Sequence, residues 1–364
     1  MLTPRRAVTA GTAALLLALT AACGDDESAT TDTTTAASTA ASAAAGSGTS
    51  TSTGGTEDVL NATTAFLALL DDTQKTSVQG ERTTDNLTKW SNLPDQLFTR
   101  AGLRMDALST EQQAAVLKIL QAALSSDGYA QVTGITTGDG VLKASGGMDL
   151  DFGADHYWIR ILGTPSESEI WTIQYGGHHL AVNITLKGDA MTLAPTLWGA
   201  QPASYTTSGT TVEPLKGETD EAFAVMDALD GEQQKAAQLD TAITEIVLGA
   251  QQDGKTLAEE GVKVSTFSEK QKELLMALIT EWLSTLTPAQ AQSKIEEAEN
   301  NLDKTWFAWS GETTEGRPIY YRVQGPSLII EFAHQQGEGA NAGGITHIHS
   351  IYREPDNDYG AELR

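Results

Sequence analysis

The stretch that decides the fold is Ile170-Trp-Thr-Ile-Gln-Tyr-Gly-Gly-His-His-Leu-Ala-Val-Asn-Ile-Thr185. Its two apolar runs are rich in β-branched and aromatic residues, which favour strands, and two glycines separate them. We therefore predict strands over residues 170–175 and 179–185. A strand over 156–161 precedes them across a turn at 163–168, and residues 191–193 follow after the Lys187-Gly-Asp189 turn. Together these segments predict an antiparallel β-meander.

The chain also resembles itself at two constant offsets. Residues 66–74 match 225–233, and residues 108–120 match 267–279, both 159 positions apart. Later the offset becomes 148, and Asp155, Trp158, Gly163, Gly177, Leu180 and Val182 align with Asp303, Trp306, Gly311, Gly325, Leu328 and Ile330. We therefore predict a tandem duplication, with repeats over about 58–216 and 217–364 that pack about a pseudo-two-fold axis.

Each predicted repeat has helices first and strands second. Ser109 and Ser268 are expected to be helix N-caps, because their side chains can accept a hydrogen bond from a free backbone N–H group. Apolar residues at helical spacing follow each serine. In the first repeat the helical part is expected to end near Asp127-Gly128, a typical stop signal. Helices segregated from an antiparallel β-meander predict an α+β fold.

The N-terminus has the pattern of an export signal. Arg5-Arg6 precede a short apolar run, and small residues lead to Cys23, the only cysteine. The run is too short to span a bilayer, so residues 1–22 are interpreted as a signal peptide of the lipoprotein type. A lipid on Cys23 would then anchor the protein to a bacterial cell membrane, facing outward; ordinary cleavage near Ala22 is the alternative. Residues 23–57, rich in Ala, Ser, Thr and Gly, are predicted to be a disordered tether.

The charge excludes one class of partner. The formal net charge is −25, and loss of Arg5 and Arg6 with the signal would make it −27. Such a surface repels nucleic acid, so no nucleic-acid partner is expected. It suits an extracytoplasmic protein, and a small-molecule ligand remains compatible with it.

Four of the six histidines fall in two clusters, His178-His179 and His347-x-His349. In the aligned repeats His178-His179 correspond to Pro326-Ser327, so the shared scaffold does not explain them. Because alternate residues of a strand share a face, His347 and His349 are expected on one face, and His179 on the same face as Asn183. His156 and His334 are expected to be incidental.

These clusters predict a candidate metal site for zinc, copper or iron. One residue of the pair His178-His179 together with His347 and His349 would supply three imidazoles, the pattern of catalytic zinc sites. Glu331 or Asp358 could be a fourth ligand or a general base. If a pseudo-two-fold axis brings the clusters into one cleft, their nitrogens should lie within about 4 Å of each other. Hydrogen-bonded or substrate-binding histidines are the alternative.

A second hypothesis needs no metal. Arg353 could clamp an anionic ligand or, more simply, pair with Asp358 and stabilise a turn. With Arg322, Trp171, Trp198 and Tyr320 it could line a pocket for a small anionic or sugar-like ligand. No Gly-x-Ser-x-Gly, P-loop or His-Glu-x-x-His pattern occurs in the sequence.

The sequence contains several distinctive strings in a fixed order: Gly177-His-His-Leu-Ala-Val-Asn183, Gly199-Ala-Gln-Pro-Ala203, Tyr320-Tyr-Arg-Val-Gln-Gly-Pro326, Leu328-Ile-Ile-Glu331, His347-Ile-His-Ser-Ile-Tyr-Arg353 and Asn357-Asp-Tyr-Gly360. In these strings the chain resembles the DUF3500 family of domains of unknown function. The resemblance covers residues from about 58 to the end and implies a single family domain in an exported protein. From the residues themselves we expect a metal-dependent hydrolase or oxidase, or alternatively a binding protein without catalysis.

Overall fold

The computed structural model of the protein describes residues 55–146, 150–335 and 345–363. Its helices are α1 (Thr56–Ala68), α2 (Asp72–Val78), α3 (Thr84–Leu87), α4 (Thr110–Ala123), α5 (Ser126–Ala144), α6 (Lys216–Ala228), α7 (Gly231–Ala237), α8 (Glu269–Leu283) and α9 (Pro288–Asn301). The predicted signal peptide, Cys23 and most of the predicted tether lie outside the described residues. In the part of the chain that is described, no helix is long and apolar enough to cross a membrane.

Fourteen strands complete the described fold: β1 (Gln79–Gly80), β2 (Leu103–Arg104), β3 (Trp158–Leu162), β4 (Trp171–Gly177), β5 (Leu180–Lys187), β6 (Ala190–Thr192), β7 (Thr196–Ala200), β8 (Tyr205–Thr207), β9 (Thr210–Val212), β10 (Val262–Lys263), β11 (Trp306–Gly311), β12 (Ile319–Gln324), β13 (Ile329–His334) and β14 (Ile348–Arg353). Helices and antiparallel hairpins alternate along the chain in the predicted order. The α+β fold class is therefore confirmed.

Twelve strands form one large sheet, and β8 and β9 form a separate hairpin. The order across the large sheet is β1-β3-β4-β5-β7-β14-β13-β12-β11-β10, with β2 beside β3 and β6 beside β5. Only β1 and β3 run parallel among the strand pairs described; the other neighbours are antiparallel. Strands from before and after residue 217 meet where β7 pairs with β14, and this junction brings the two halves of the sequence together.

Both predicted N-caps are confirmed. The Ser109 side chain accepts a hydrogen bond from the backbone N–H of Gln112, and the Gln112 side chain accepts one from the backbone of Ser109. Ser268 and Gln271 form the same reciprocal pair at the start of α8. Each capping box satisfies two backbone N–H groups that the helix cannot satisfy itself.

The predicted helix end at Asp127-Gly128 is wrong. Ser125 caps a new helix, α5, and Asp127 lies in its first turn, where a carboxylate is favourable. Gly128 is needed for close packing: a Cβ atom there would lie 2.5 Å from the backbone oxygen of Thr285. In the sequence, a glycine that allows close packing against a distant backbone cannot be distinguished from a glycine that ends a helix.

The two faces of the sheet are covered differently. On one face the helices pack, as where Trp198 of β7 contacts Trp282 of α8 with ring centroids 5.9 Å apart. On the other face lies a second, smaller core that includes Trp90, Ile246 and Ile351. Trp90 and Ile246 come from long irregular segments, residues 88–102 and 238–261, that run over the sheet. The histidine clusters lie on this loop-covered face.

Candidate metal centre

Sheet topology brings the two histidine clusters together. His178 and His179 form the tight turn between β4 and β5, because Gly177 pairs directly with Leu180. Strand β5 lies beside β7, which in turn pairs with β14, so only β7 separates this turn from His347 and His349. The prediction that β5 begins at His179 is one residue early, and His179 is a turn residue instead.

The backbone at His179 has an unusual conformation. Its φ angle is 61°, in the left-handed region that favours glycine, asparagine and aspartate in turns. The backbone N–H of His179 donates to the carbonyl of Asn92 (3.0 Å), and its carbonyl accepts from the N–H of Gly199 (2.7 Å). A histidine in this conformation costs about 1–2 kcal/mol, and such strain is concentrated at functional sites.

Gly199 gives His179 the space to reach across β7. A Cβ atom at Gly199 would lie 3.1 Å from Cδ2 and 3.2 Å from Cβ of His179, and 2.9 Å from the backbone oxygen of Ile348. Gly199 pairs with His349 in the sheet, so the absent side chain leaves a gap beside both histidines. The ring of His179 lies against this gap.

Three imidazole nitrogens converge at one point. Nε2 of His347 lies 2.6 Å from Nε2 of His179 and 3.1 Å from Nε2 of His349. These separations fall within the distance of about 4 Å that a shared metal requires. His179, His347 and His349 therefore offer three nitrogen donors within 4.8 Å of one another.

The environment keeps the rings of His179 and His347 neutral. Burial, followed by the neighbouring histidines, holds the pKa of His179 well below its ordinary value. Burial and then His349 lower the pKa of His347 to about 3. Uncharged imidazoles retain a lone pair on one nitrogen, which is the state that binds a metal.

Glu245 holds His349 in a fixed orientation. Its carboxylate oxygens lie 2.8 and 2.9 Å from Nδ1 of His349, so Nδ1 carries the proton and Nε2, which faces His347, is an acceptor. The side chain of Gln335 donates to the same carboxylate (2.8 Å). Asn92 completes the surroundings, with its amide 3.3 Å from Nε2 of His349. A carboxylate behind a ligating histidine is a common feature of metal sites.

His178 belongs to a neighbouring group instead. Its Nδ1 lies 2.6 Å from Oδ1 of Asp139, a buried residue of α5. The ring of Phe152 stacks on the ring of His178, with ring centroids 4.5 Å apart. The His178 and His179 rings are 3.7 Å apart, so the two groups are in contact. Asp139, His178 and His179 form a second set of possible ligands.

An open cleft borders one of the three histidines. It has a volume of about 480 Å³, and its lining residues include His349 and Glu245. Asn92, Gln335 and Lys255 contribute polar groups to its walls. A small polar molecule can therefore approach His349 from solvent.

Glu331 does not face the histidines. Its side chain is fully buried and accepts hydrogen bonds from the backbone N–H groups of Val247 (3.0 Å) and Leu248 (2.7 Å) and from the Tyr320 hydroxyl (2.7 Å). By accepting the two backbone hydrogen bonds, Glu331 fixes the position of the segment that carries Glu245. The structure therefore places Glu331 in contact with this backbone segment and with Tyr320.

Arg353 and Asp358 likewise lie outside the site. The Arg353 guanidinium binds Asp358 (2.6 Å) and Asp253 (3.2 Å) and the carbonyls of Leu248 and Gly249. This is the simpler of the two alternatives for Arg353, a turn-stabilising pair. Neither residue is within bonding distance of a histidine in the described structure.

Four residues named in the second hypothesis have buried side chains. Trp171, Trp198 and Tyr320 are each fully buried, and Arg322 is 2% exposed and binds Glu260 and the carbonyl of Ala258. Of the remaining histidines, His334 accepts from the backbone of Ile319, and His156 contacts Asp151. Neither belongs to the three-histidine group.

Four further residues of the site carry no local sequence signal: Glu245, Asp139, Asn92 and Gly199. Glu245 and Asn92 lie in irregular segments without a pattern, and Asp139 lies on a helix far from the histidines in sequence. Gly199 stands out only as part of a family string.

Comparison with known proteins places the chain in a family. No curated protein and no solved structure matches it. One family profile matches residues 52–361, which includes every residue of the site described above. The chain belongs to this family, described as "Protein of unknown function (DUF3500)".

Proposed function

We propose that His179, His347 and His349 bind a divalent transition metal: zinc, copper or iron. The observation that carries the proposal is the convergence of three Nε2 atoms, one of them oriented by Glu245. Three imidazoles around zinc, each at about 2.0–2.1 Å, would have nitrogens about 3.3 Å apart. Small rotations of the rings reach this separation from the observed 2.6 and 3.1 Å.

Hydrogen bonds among the rings do not satisfy this arrangement. An imidazole nitrogen has a single in-plane direction, in which it either donates a proton or accepts one. Nε2 of His347 faces two other Nε2 atoms at once, so at most one of the two contacts can be a good hydrogen bond. A cation placed between the nitrogens would use all three lone pairs, which favours a metal over a hydrogen-bonded network.

The three-histidine set favours catalysis over a purely structural metal. A metal with three protein ligands keeps a position open for water or substrate and acts there as a Lewis acid. The cleft is lined by His349, one of the three proposed ligands, and would bring a small molecule to the edge of the histidine group. We therefore propose a metal-dependent hydrolase or, with a redox-active metal, an oxidase. Glu331, Arg353 and Asp358 have no part in this proposal.

Metal analysis of protein purified without a histidine tag tests the proposal. We expect one transition metal per chain after reconstitution and dialysis, and its loss in the double variant His347→Ala/His349→Ala. His156→Ala is the matched control, since it removes a histidine outside the group, and it should keep the metal. Substoichiometric metal in the native protein, or equal metal in the double variant, contradicts the proposal. Ligand stabilisation that persists with a chelator would favour a binding protein instead.

We also propose that the protein acts outside the cytoplasm, anchored by a lipid on Cys23. The support is the basic and apolar pattern before this cysteine, and an acidic domain of the kind found in exported proteins. Radiolabelled palmitate should enter the native protein and not a Cys23→Ala variant. Equal labelling of both proteins would contradict the anchor.

We further propose that the domain arose by tandem duplication with pseudo-two-fold packing. Support comes from the capping boxes, which recur at the offset of 159 residues, and from a paired contact at the same offset: the side chains of Gln74 and Gln112 bond to each other, as do those of Gln233 and Gln271. Five strands lie on each side of the β7–β14 junction along the main sheet order. Under this proposal the metal site occupies the centre of the duplicated scaffold.

A further inference from the structure

A second cavity lies on the loop-covered face, apart from the histidines. It is a partly open cavity between strands β3, β4 and β5 and the segment that follows α3. Its lining includes Arg160 and Trp158 of β3, Gln174 of β4, and Lys89, Trp90 and Ser91 of that segment. The proposed metal function does not use any of these side chains.

The cavity is positively charged in a chain of net charge −25. None of its lining residues is an aspartate or glutamate; the neighbouring carboxylate of Asp95 accepts hydrogen bonds from the lining residues Arg100 and Trp158. Arg100 also borders the cavity, but its guanidinium pairs with Asp95 (2.7 Å) and with three backbone carbonyls. Among the described residues, Arg160 and Lys89 form no ion pair. Two cations without a carboxylate partner at one cavity are unexpected in so acidic a protein.

Free donors point to an anionic ligand. Arg160 uses one nitrogen to donate to the side chain of Asn86 (2.9 Å), which leaves other N–H groups of the fork available. Burial lowers the pKa of Arg160, and no carboxylate opposes that effect. The Ser91 hydroxyl oxygen accepts from the backbone N–H of Leu93 (3.1 Å), so its own proton is available to a ligand.

The size of the cavity limits the ligand. The cavity has an accessible volume of about 30 Å³, roughly the space of two water molecules. A flat carboxylate with two oxygen atoms therefore fits it more readily than a tetrahedral phosphate. We propose that Arg160, Lys89 and Ser91 bind the carboxylate of a small organic acid, with Trp90 and Trp158 as the apolar walls.

This site is separate from the metal centre but near it. Ser91 lines both the cavity and the cleft of His349, and Asn92 follows it in the sequence. A carboxylate held at Arg160 could belong to a molecule whose other end lies in that cleft. Binding at the cavity itself does not depend on a metal, so the two proposals can fail separately.

Binding of sodium acetate tests the inference. Thermal unfolding of the native protein is measured with increasing acetate, against sodium chloride at equal ionic strength, with and without a chelator, and with phosphate as a larger anion. Titration calorimetry then gives the dissociation constants of Arg160→Gln and Lys89→Gln. Arg317→Gln is the matched control, because it removes an exposed arginine near Glu312 on another part of the surface.

We expect saturable stabilisation by acetate that persists with chelator, exceeds that by phosphate and is unchanged in Arg317→Gln. Each cavity variant should weaken acetate binding about tenfold, as expected for loss of one charge-assisted hydrogen bond. If Arg160→Gln does not fold, the exposed Lys89 carries the test. Equal stabilisation by chloride or phosphate, loss of the effect with chelator, or unchanged binding in both cavity variants overturns the inference.

Discussion

Replacement of Gly199 by alanine tests how the fold builds the histidine site. The added methyl group would lie 2.9 Å from the backbone oxygen of Ile348 and 3.1 Å from Cδ2 of His179. The first atom belongs to a strand held on both sides by hydrogen bonds, so it cannot move freely. The second belongs to a proposed ligand, so the ring of His179 must turn away from His347.

The expected cost follows from overpacking of a buried site. Insertion of a methyl group into a packed interior destabilises by about 1–3 kcal/mol, and urea unfolding measures this directly. Gly231→Ala is the control, because Gly231 begins α7 and a methyl group added there would meet no atom within 4 Å. This control should be neutral or stabilise by up to about 1 kcal/mol, since alanine favours helices.

The same variant should bind metal more weakly. Disturbing a residue that positions a metal ligand typically lowers the metal affinity by about 10–100-fold. A competition titration against a chelator of known affinity can measure this change. Gly231→Ala should keep the native affinity. If Gly199→Ala unfolds at the same urea concentration as the native protein and binds metal with the native affinity, Gly199 does not shape the site.

Three further predictions concern carboxylates. Glu245→Gln should lower metal affinity by about 10–100-fold with little change in urea unfolding, because Glu245 orients His349 and is partly exposed; an unchanged affinity would remove Glu245 from the site. Glu331→Ala should destabilise by about 2–4 kcal/mol, because it leaves buried donors without an acceptor, yet native metal content should persist; a loss of metal in folded protein would return Glu331 to the site. Burial raises the pKa of Glu218 to about 8. Because the unfolded chain releases that proton near its ordinary pKa of 4.5 and the folded protein keeps it, the stability due to Glu218 should be lost as pH rises from about 4.5 to about 8. Over this pH range the free energy of unfolding should decline less steeply with rising pH for Glu218→Gln than for the native protein. Parallel stability profiles of the two proteins would contradict the raised pKa.

Local patterns in the sequence predict one group of features correctly. Ser109 and Ser268 precede helical spacing, and the hairpins alternate apolar runs with glycine turns. The sequence also predicts that the two histidine clusters converge, because equivalent strands of the two repeats are expected to meet. The structure brings the clusters together across a single strand, β7.

Features that depend on long-range packing could not be predicted. Gly128 has the local pattern of a helix end, yet the backbone of Thr285 explains it. Glu245 meets His349 only after an irregular segment crosses the sheet. Glu331 is a plausible ligand by residue type, because carboxylates bind metals, but its oxygens are used by backbone N–H groups of that same segment. In each case the deciding contact joins residues distant in sequence.

X-ray absorption at the metal edge tests the central claim most directly. The native protein, reconstituted with zinc and dialysed, should show imidazole scattering from three nitrogens at about 2.0–2.1 Å. The signal should fall to two imidazoles or disappear in His179→Ala, and it should be unchanged in His156→Ala. A spectrum with oxygen ligands alone, or one that His179→Ala leaves unaltered, would contradict a metal centre built from His179, His347 and His349.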